Sequence, residues 1–197
     1  MATPQELLKR LENGIELSKK RGKAGTADLL AKKLLRVHLE LGNFSDFKSA
    51  CSTYSIWAGD MMNISGAVAS EKVAAGDLVF AERMVHEGVL FEGNLLRLYL
   101  ENGHYAEFKE IVSEGKFSIN ESAAANIAYW YLVDLAQCGD DVKMSQLELV
   151  GIASGWMVEA AQKTAEAAQE KSDEKAKVEQ GRNWAAGILK AIKGSFE

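Results

Sequence analysis

One stretch of the chain occurs twice, at residues 34–48 and again at residues 95–109. Both copies begin with Leu-Leu-Arg, contain Leu-Glu shortly before a glycine, and end with an acidic residue, Phe and Lys. Glycine adopts the left-handed conformation that ends a helix without a Cβ clash. The two aromatic residues after each glycine are three positions apart, so they share a face of the next helix. The repetition therefore predicts two helical hairpins.

The composition favours helices throughout the chain. The one proline is Pro4, within the sequence Thr3-Pro4-Gln5-Glu6, a capping box that predicts the start of a helix. Apolar residues make up 47% and charged residues 26%, as is usual for a soluble globular protein. We expect an all-α protein, in which antiparallel helical hairpins stack as an irregular α-solenoid or a compact multi-helix bundle.

The spacing of the glycines suggests a helical repeat. The turn at Gly76–Ala81 resembles the tetratricopeptide-like superfamily of helix-turn-helix repeats, and the resemblance extends over about residues 26–150. Phe47 and Phe108 stand where that family prefers a small Ala, and the closing proline of each unit is missing. These departures predict larger, less regular packing. The glycines concerned follow one another at intervals of 34, 27 and 36 residues: Gly42, Gly76, Gly103 and Gly139.

Composition divides the chain into two predicted parts. Residues 1–150 form a helical-repeat domain with basic N-terminal helices, and residues 151–197 form a C-terminal helical extension or cap. A capping box at residues 145–148 predicts a helix to about residue 170, and residues 127–133, apolar on every side, predict a buried helix. Residues 160–177 have little to bury and predict a solvated helix. An amphipathic segment follows, which either caps the bundle or meets a partner; its apolar face comprises Trp184, Ile188, Ala191 and Ile192.

Charge is unevenly distributed along the chain, although the net charge is only −5. Residues 1–36 hold nine basic and four acidic residues, whereas residues 37–150 hold seven basic and seventeen acidic ones. The basic end either binds an anionic surface such as nucleic acid, or docks on the acidic middle of another copy, or is a solvated face. Its members are Lys9, Arg10, Lys19, Lys20, Arg21, Lys23, Lys32, Lys33 and Arg36.

The sequence shows no recognisable catalytic motif, and we expect neither an enzyme nor a bound metal or cofactor. His86 and His104 lie far from His38 in sequence, and His38 is expected to be a packing residue. Cys51 and Cys138 are expected to be buried free thiols. Residues 1–6 lack the apolar region of a secretory signal, and no run approaches the roughly 18 apolar residues that a membrane span needs. A cytoplasmic protein is therefore expected.

Three hypotheses about function follow. The first is a non-enzymatic adaptor or regulator that offers a groove between stacked hairpins to a protein or peptide, with Arg97, Tyr99 and His38 among its exposed contacts. The second is a self-assembling structural or nucleic-acid-packaging protein of viral or phage type. In that case the basic end of one subunit meets the acidic middle of the next, and residues 184–196 are an exchanged arm. The third is a helical enzyme.

Overall fold

The computed structural model describes the backbone of residues 3–194 and the side chains of residues 3–177 and 179. These residues form ten α-helices and one short 3-10 helix at Lys116–Ser118, and they contain no β-strand. The predicted all-α fold is confirmed. The helices are α1 (Pro4–Lys20), α2 (Ala24–Glu40), α3 (Phe44–Thr53), α4 (Ala58–Ala74), α5 (Leu78–His86), α6 (Glu92–Glu101), α7 (Tyr105–Glu114), α8 (Glu121–Cys138), α9 (Asp141–Leu149) and α10 (Gly155–Gly194).

Gly42 and Gly103 end α2 and α6 in the same way. Their φ angles are +71° and +78°, in the left-handed region. The Gly42 N–H donates to Leu39 O at 2.8 Å, and the Asn43 N–H donates to His38 O at 2.9 Å. This pair of hydrogen bonds is the Schellman motif, which satisfies carbonyls that the helix end leaves unpaired. The same pattern recurs around Gly103, and the predicted glycine stops are therefore confirmed.

The chain divides into two compact units, Met1–Ala124 and Ala125–Glu197. The boundary between two domains that the sequence analysis places at residue 150 rests on composition, and it stays a prediction. In the first unit α1 packs along α2, and three helix pairs follow: α2 with α3, α4 with α5, and α6 with α7. The pairs stack through their first helices, since α2 packs on α4 and α4 packs on α6.

The core of the first unit is built from equivalent positions of the two copies. Leu35 and Leu96 are buried, with exposed fractions of 0% and 1%, and so are the two phenylalanines, Phe47 at 1% and Phe108 at 5%. Each fully buried side chain of this size contributes about 1.5–3 kcal/mol. These equivalent leucines and phenylalanines therefore make the same contribution to the core in both hairpins.

The second unit departs from the sequence predictions at three places. Trp130, in the α8 segment predicted to be buried, is 52% exposed. The single helix predicted from residue 145 is divided into α9 and α10, because Gly151 ends α9 with a φ of +70°. Cys138 is exposed rather than buried, because it is the last residue of α8, whereas Cys51 is buried as predicted.

The long helix α10 is solvated over much of its described length. Residues 166–177 are all exposed, as the composition predicts. The predicted apolar face of Trp184, Ile188, Ala191 and Ile192 lies outside the side chains that the structure describes. None of the helices in the described residues is long and apolar enough to cross a membrane.

Candidate functional site

An apolar groove of about 430 Å³ opens between α3, α4 and the segment that joins α5 to α6. Its walls come from α3, from the first turn of α4, which begins at Ala58, and from the end of α5 with the residues that follow it. The lining residues are Phe47, Lys48, Ala58, Met61, Met62, Val85, Gly88, Val89, Leu90, Phe91 and Glu92.

The groove exposes large apolar side chains to solvent. Met62 is 45% exposed and Phe91 is 63% exposed, although both are residues that a folded core normally covers. The backbone of Phe91 is fixed because this residue is the N-cap of α6 and its carbonyl accepts the N–H of Leu95 at 3.2 Å. Exposed apolar residues that cluster around a concavity mark binding surfaces.

Charged groups lie at the rim of the groove. Lys48 Nζ donates to the Glu87 carbonyl oxygen at 3.0 Å and lies 3.5 Å from a carboxylate oxygen of the same residue. This contact joins α3 to the end of α5, so the lysine charge is already balanced. Glu92, in the first turn of α6, adds a second carboxylate to the lining. The rim is therefore acidic on balance.

Beside the groove, the exposed Trp57 covers a glycine. Trp57 is 73% exposed and its ring lies directly over Gly59, where any added Cβ would collide with it. Trp57 precedes α4, and its carbonyl accepts the N–H groups of Asp60 and Met61 at 3.0 and 3.1 Å. The backbone of Trp57 is therefore fixed at the first turn of the helix that carries Met61 and Met62.

Two members of the predicted basic cluster, Lys9 and Arg10, are exposed on α1, and the fold separates the other seven into two groups. Lys19, Lys20, Arg21 and Lys23 are exposed around the link between α1 and α2, and we call these four residues the basic turn. Lys19 Nζ lies 5.0 Å from the centre of the Tyr54 ring. In the part of the chain that the structure describes, the basic turn makes no ion pair with a carboxylate.

The second basic group lies on α2, and two of its members are paired with acids on α4. Arg36 donates two hydrogen bonds of 2.7 Å to the Glu71 carboxylate, and Lys32 lies 3.1 Å from an Asp60 carboxylate oxygen. These pairs join the first two stacked helices, so Arg36 and Lys32 are part of the packing. Lys33, which is also on α2, is exposed.

The residues predicted as exposed contacts in the hairpins are mostly internal. Tyr99 is fully buried and its hydroxyl donates to Glu82 Oε1 at 3.1 Å, so the expectation that it is exposed is wrong. Burial, with the charge of Glu82 in addition, raises the pKa of Tyr99 and keeps this hydroxyl a donor. His38 is only 7% exposed, as expected of a packing residue, so the expectation that it is an exposed contact is wrong. Arg97 forms an ion pair with Glu101 at 2.8 Å, the counterpart of the 2.7 Å pair between Arg36 and Glu40 in the first copy.

No member of the predicted basic cluster lines the apolar groove, and neither does Arg97, Tyr99 or His38. Two signals pointed to the groove. Met61 and Met62 are adjacent methionines, and Phe91 ends the apolar run Val89-Leu90-Phe91 that follows Gly88. Neither signal shows which elements come together, because the lining is drawn from residues 47–92 through the packing of α2 on α3 and α4, and of α4 on α5.

The fold defines the class of protein: an all-α protein of packed helical hairpins. No family model, curated protein or solved structure matches this chain.

Proposed function

We propose that this chain is a non-enzymatic interaction module, an adaptor or regulator that binds a protein or peptide partner in the apolar groove. The observation that supports the proposal is the exposure of Met62 and Phe91 around a concavity of about 430 Å³. That volume is within the usual range of ligand sites. Methionine side chains adjust their shape easily, so Met61 and Met62 suit a surface that accommodates apolar side chains.

The partner that fits best is an amphipathic helix with an apolar face and basic flanks. A helix can place residues at i, i+3 and i+4 into a groove, which leaves its flanks beside the rim. The Glu92 carboxylate lines the groove, the Glu87 carboxylate lies 3.5 Å from the lining residue Lys48, and residues 37–150 as a whole carry ten more acidic than basic residues. Complementary charge of this kind raises the association rate and selects partners.

Peptide display against the intact chain tests the proposal. Selected peptides should share apolar residues at helical spacing and flanking Lys or Arg. Met62→Ala and Phe91→Ala should each weaken binding by about tenfold or more, since truncation of an anchor costs more than about 1 kcal/mol. Val79→Ala is the matched control, because Val79 is 72% exposed on α5 and does not line the groove. Failure to enrich such peptides, or equal losses in all three variants, would contradict the proposal.

We also propose that the two copies are units of one tetratricopeptide-like helical repeat. The support comes from equivalent features of the hairpins: buried leucines at the same positions, the same glycine turn and the same Arg-Glu pair one helical turn apart. Helical repeats use stacked hairpins to present binding surfaces, so this ancestry fits an interaction module. The pair α4 and α5 stands between the copies and carries the turn at Gly76.

A second candidate function is self-assembly or nucleic-acid binding through the basic turn. The observation in its favour is that these four cations are exposed and unpaired with carboxylates among the described residues, whereas Lys32 and Arg36 are neutralised. Light scattering behind size exclusion at low and high salt, with the 260/280 nm absorbance ratio, tests it. A species larger than the 21.5 kDa monomer that shrinks with salt supports assembly. Charge reversal of Lys20, Arg21 and Lys23 to Glu should abolish it, and an unchanged profile would exclude this function.

A further inference from the structure

A second, polar pocket of about 440 Å³ lies where α1, α2 and α3 meet. Six polar residues line it, and we call it the His38 pocket: Glu12 from α1, His38 from α2, Asp46, Ser49 and Thr53 from α3, and Tyr54 at the end of α3. It is separate from the apolar groove, since the two share no lining residue. Polar side chains from three helices therefore converge on one concavity.

His38 is buried, yet one of its ring nitrogens has nothing to bond. The residue is 7% exposed, and Nδ1 has no hydrogen-bond partner among the described residues. The closest carboxylate oxygen, Asp46 Oδ2, lies 4.0 Å away, which is too far for a hydrogen bond. Buried polar atoms are nearly always paired, because an unpaired one costs about 1–3 kcal/mol. Nδ1 therefore needs a partner that the described side chains do not supply, and a water or a ligand in the adjoining pocket can provide it.

The charges around the pocket are mainly negative. Glu12 and Asp46 line it, and burial together with the charges of Glu12 and Glu16 raises the pKa of the Tyr54 hydroxyl. Lys19 of the basic turn contacts the same tyrosine, since its Nζ lies 5.0 Å from the centre of the Tyr54 ring. Both charged carboxylates in the lining, those of Glu12 and Asp46, are negative, so the pocket favours a positively charged guest.

We propose that the His38 pocket binds a primary ammonium group, either of a small free amine or of a lysine side chain. In the neutral Nε2–H tautomer, Nδ1 is an acceptor, and an ammonium offers three donors from one atom. A nitrogen placed about 2.9 Å from both His38 Nδ1 and Asp46 Oδ2 subtends an angle of about 90° between them, which –NH₃⁺ can satisfy. The positive charge of the ammonium is then attracted by the carboxylates of Asp46 and Glu12.

An ammonium fits this site better than a metal ion does. Among the side chains that the structure describes, no group of three or more His, Cys, Asp and Glu residues is arranged to hold a metal. His38 and Asp46 supply two ligands, whereas metal sites in proteins usually take three or four protein donors. An ammonium needs only hydrogen-bond acceptors and negative charge, and both are present.

The test is a titration of the full chain with butylammonium chloride, followed by the imidazole nitrogen resonances at about pH 8, where an imidazole is ordinarily neutral. The three histidines of the chain make these spectra simple to assign. We expect a saturable shift of His38 Nδ1 and none at His86. Tetramethylammonium chloride is the matched control, because it has the same charge but no N–H donor. An equal response to tetramethylammonium, or a shift that never saturates, would overturn the proposal.

Variants separate a binding role from a structural one. Asp46→Asn should weaken binding by about two- to fivefold, because the Asp46 side chain is 65% exposed and ion contacts of exposed carboxylates are weak; for the same reason we expect the variant to fold normally. His38→Phe should abolish the response, and its folding is checked by circular dichroism. If Asp46→Asn binds as tightly as the unchanged chain, the proposal fails. Tighter binding of Nα-acetyl-lysine methylamide than of butylammonium would identify a lysine side chain as the guest, and the reverse order a free amine.

Discussion

The conformation of Gly103 provides the sharpest test of the fold, because the chain contains a matched control. Gly103 follows α6 and has a φ of +78°. Gly66 lies inside α4 and does not have a positive φ. A Cβ added at either position meets no atom within 4 Å. Replacement by alanine therefore changes the local backbone preference at both sites without a clash against other parts of the fold.

The two substitutions should have opposite effects on the free energy of unfolding. Alanine in the left-handed region costs about 1–2 kcal/mol, so Gly103→Ala should lower it by about 1 kcal/mol after the loss of unfolded-state entropy is included. Alanine inside a helix is favoured over glycine by about 0.5–1 kcal/mol, so Gly66→Ala should raise it by that amount. The two variants should therefore differ by about 2 kcal/mol.

Urea unfolding followed by far-UV circular dichroism measures this difference. Both glycines lie in the unit Met1–Ala124, so the same transition reports on them. In thermal unfolding the midpoints should differ by about 8 °C, since 1 kcal/mol shifts the midpoint of a unit of this size by about 4 °C. Changes of the same sign in the two variants would refute the assignment of Gly103 as a required left-handed residue.

Three further predictions concern the first unit and the cysteines. Leu35→Ala should cost about 2–5 kcal/mol in urea unfolding, because Leu35 is fully buried. Arg36→Gln should cost only about 0.5 kcal/mol, and less in 0.5 M NaCl, because its pair with Glu71 is largely exposed. Burial raises the pKa of Cys51 to about 11, so its alkylation should accelerate about tenfold per pH unit up to that value. At neutral pH the exposed Cys138 should be alkylated first; equal rates would contradict the burial of Cys51.

The helices and their turns were predictable because their causes are local. The stop at Gly42 depends on one residue and its neighbours, and the capping box at Thr3 is confirmed by hydrogen bonds of 3.2 and 2.9 Å with Glu6. Gly151 was the exception. The capping box and the composition of this segment predicted one continuous helix. In the structure Gly151 adopts a positive φ and ends α9 there.

The site was less predictable because its causes are not local. Arg36 belongs to a basic run in sequence, yet stacking of α2 on α4 brings it to Glu71, 35 residues away. Tyr99 was expected to be exposed, but its polar hydroxyl is satisfied inside by Glu82. The groove likewise depends on which helices stack, and periodicity within one helix carries no information about its neighbours.

The most direct test of the proposed function is a methionine-methyl NMR titration of the intact chain with the tightest peptide from the display experiment. If the peptide binds in the apolar groove, the methyl resonances of Met61 and Met62 should shift in proportion to the bound fraction. Met84, which is fully buried in the same unit, should change little, and Met144 and Met157 of the second unit should be unaffected. Unchanged resonances of Met61 and Met62 at saturating peptide, with or without shifts at Met144 and Met157, would show that the peptide does not bind in the apolar groove.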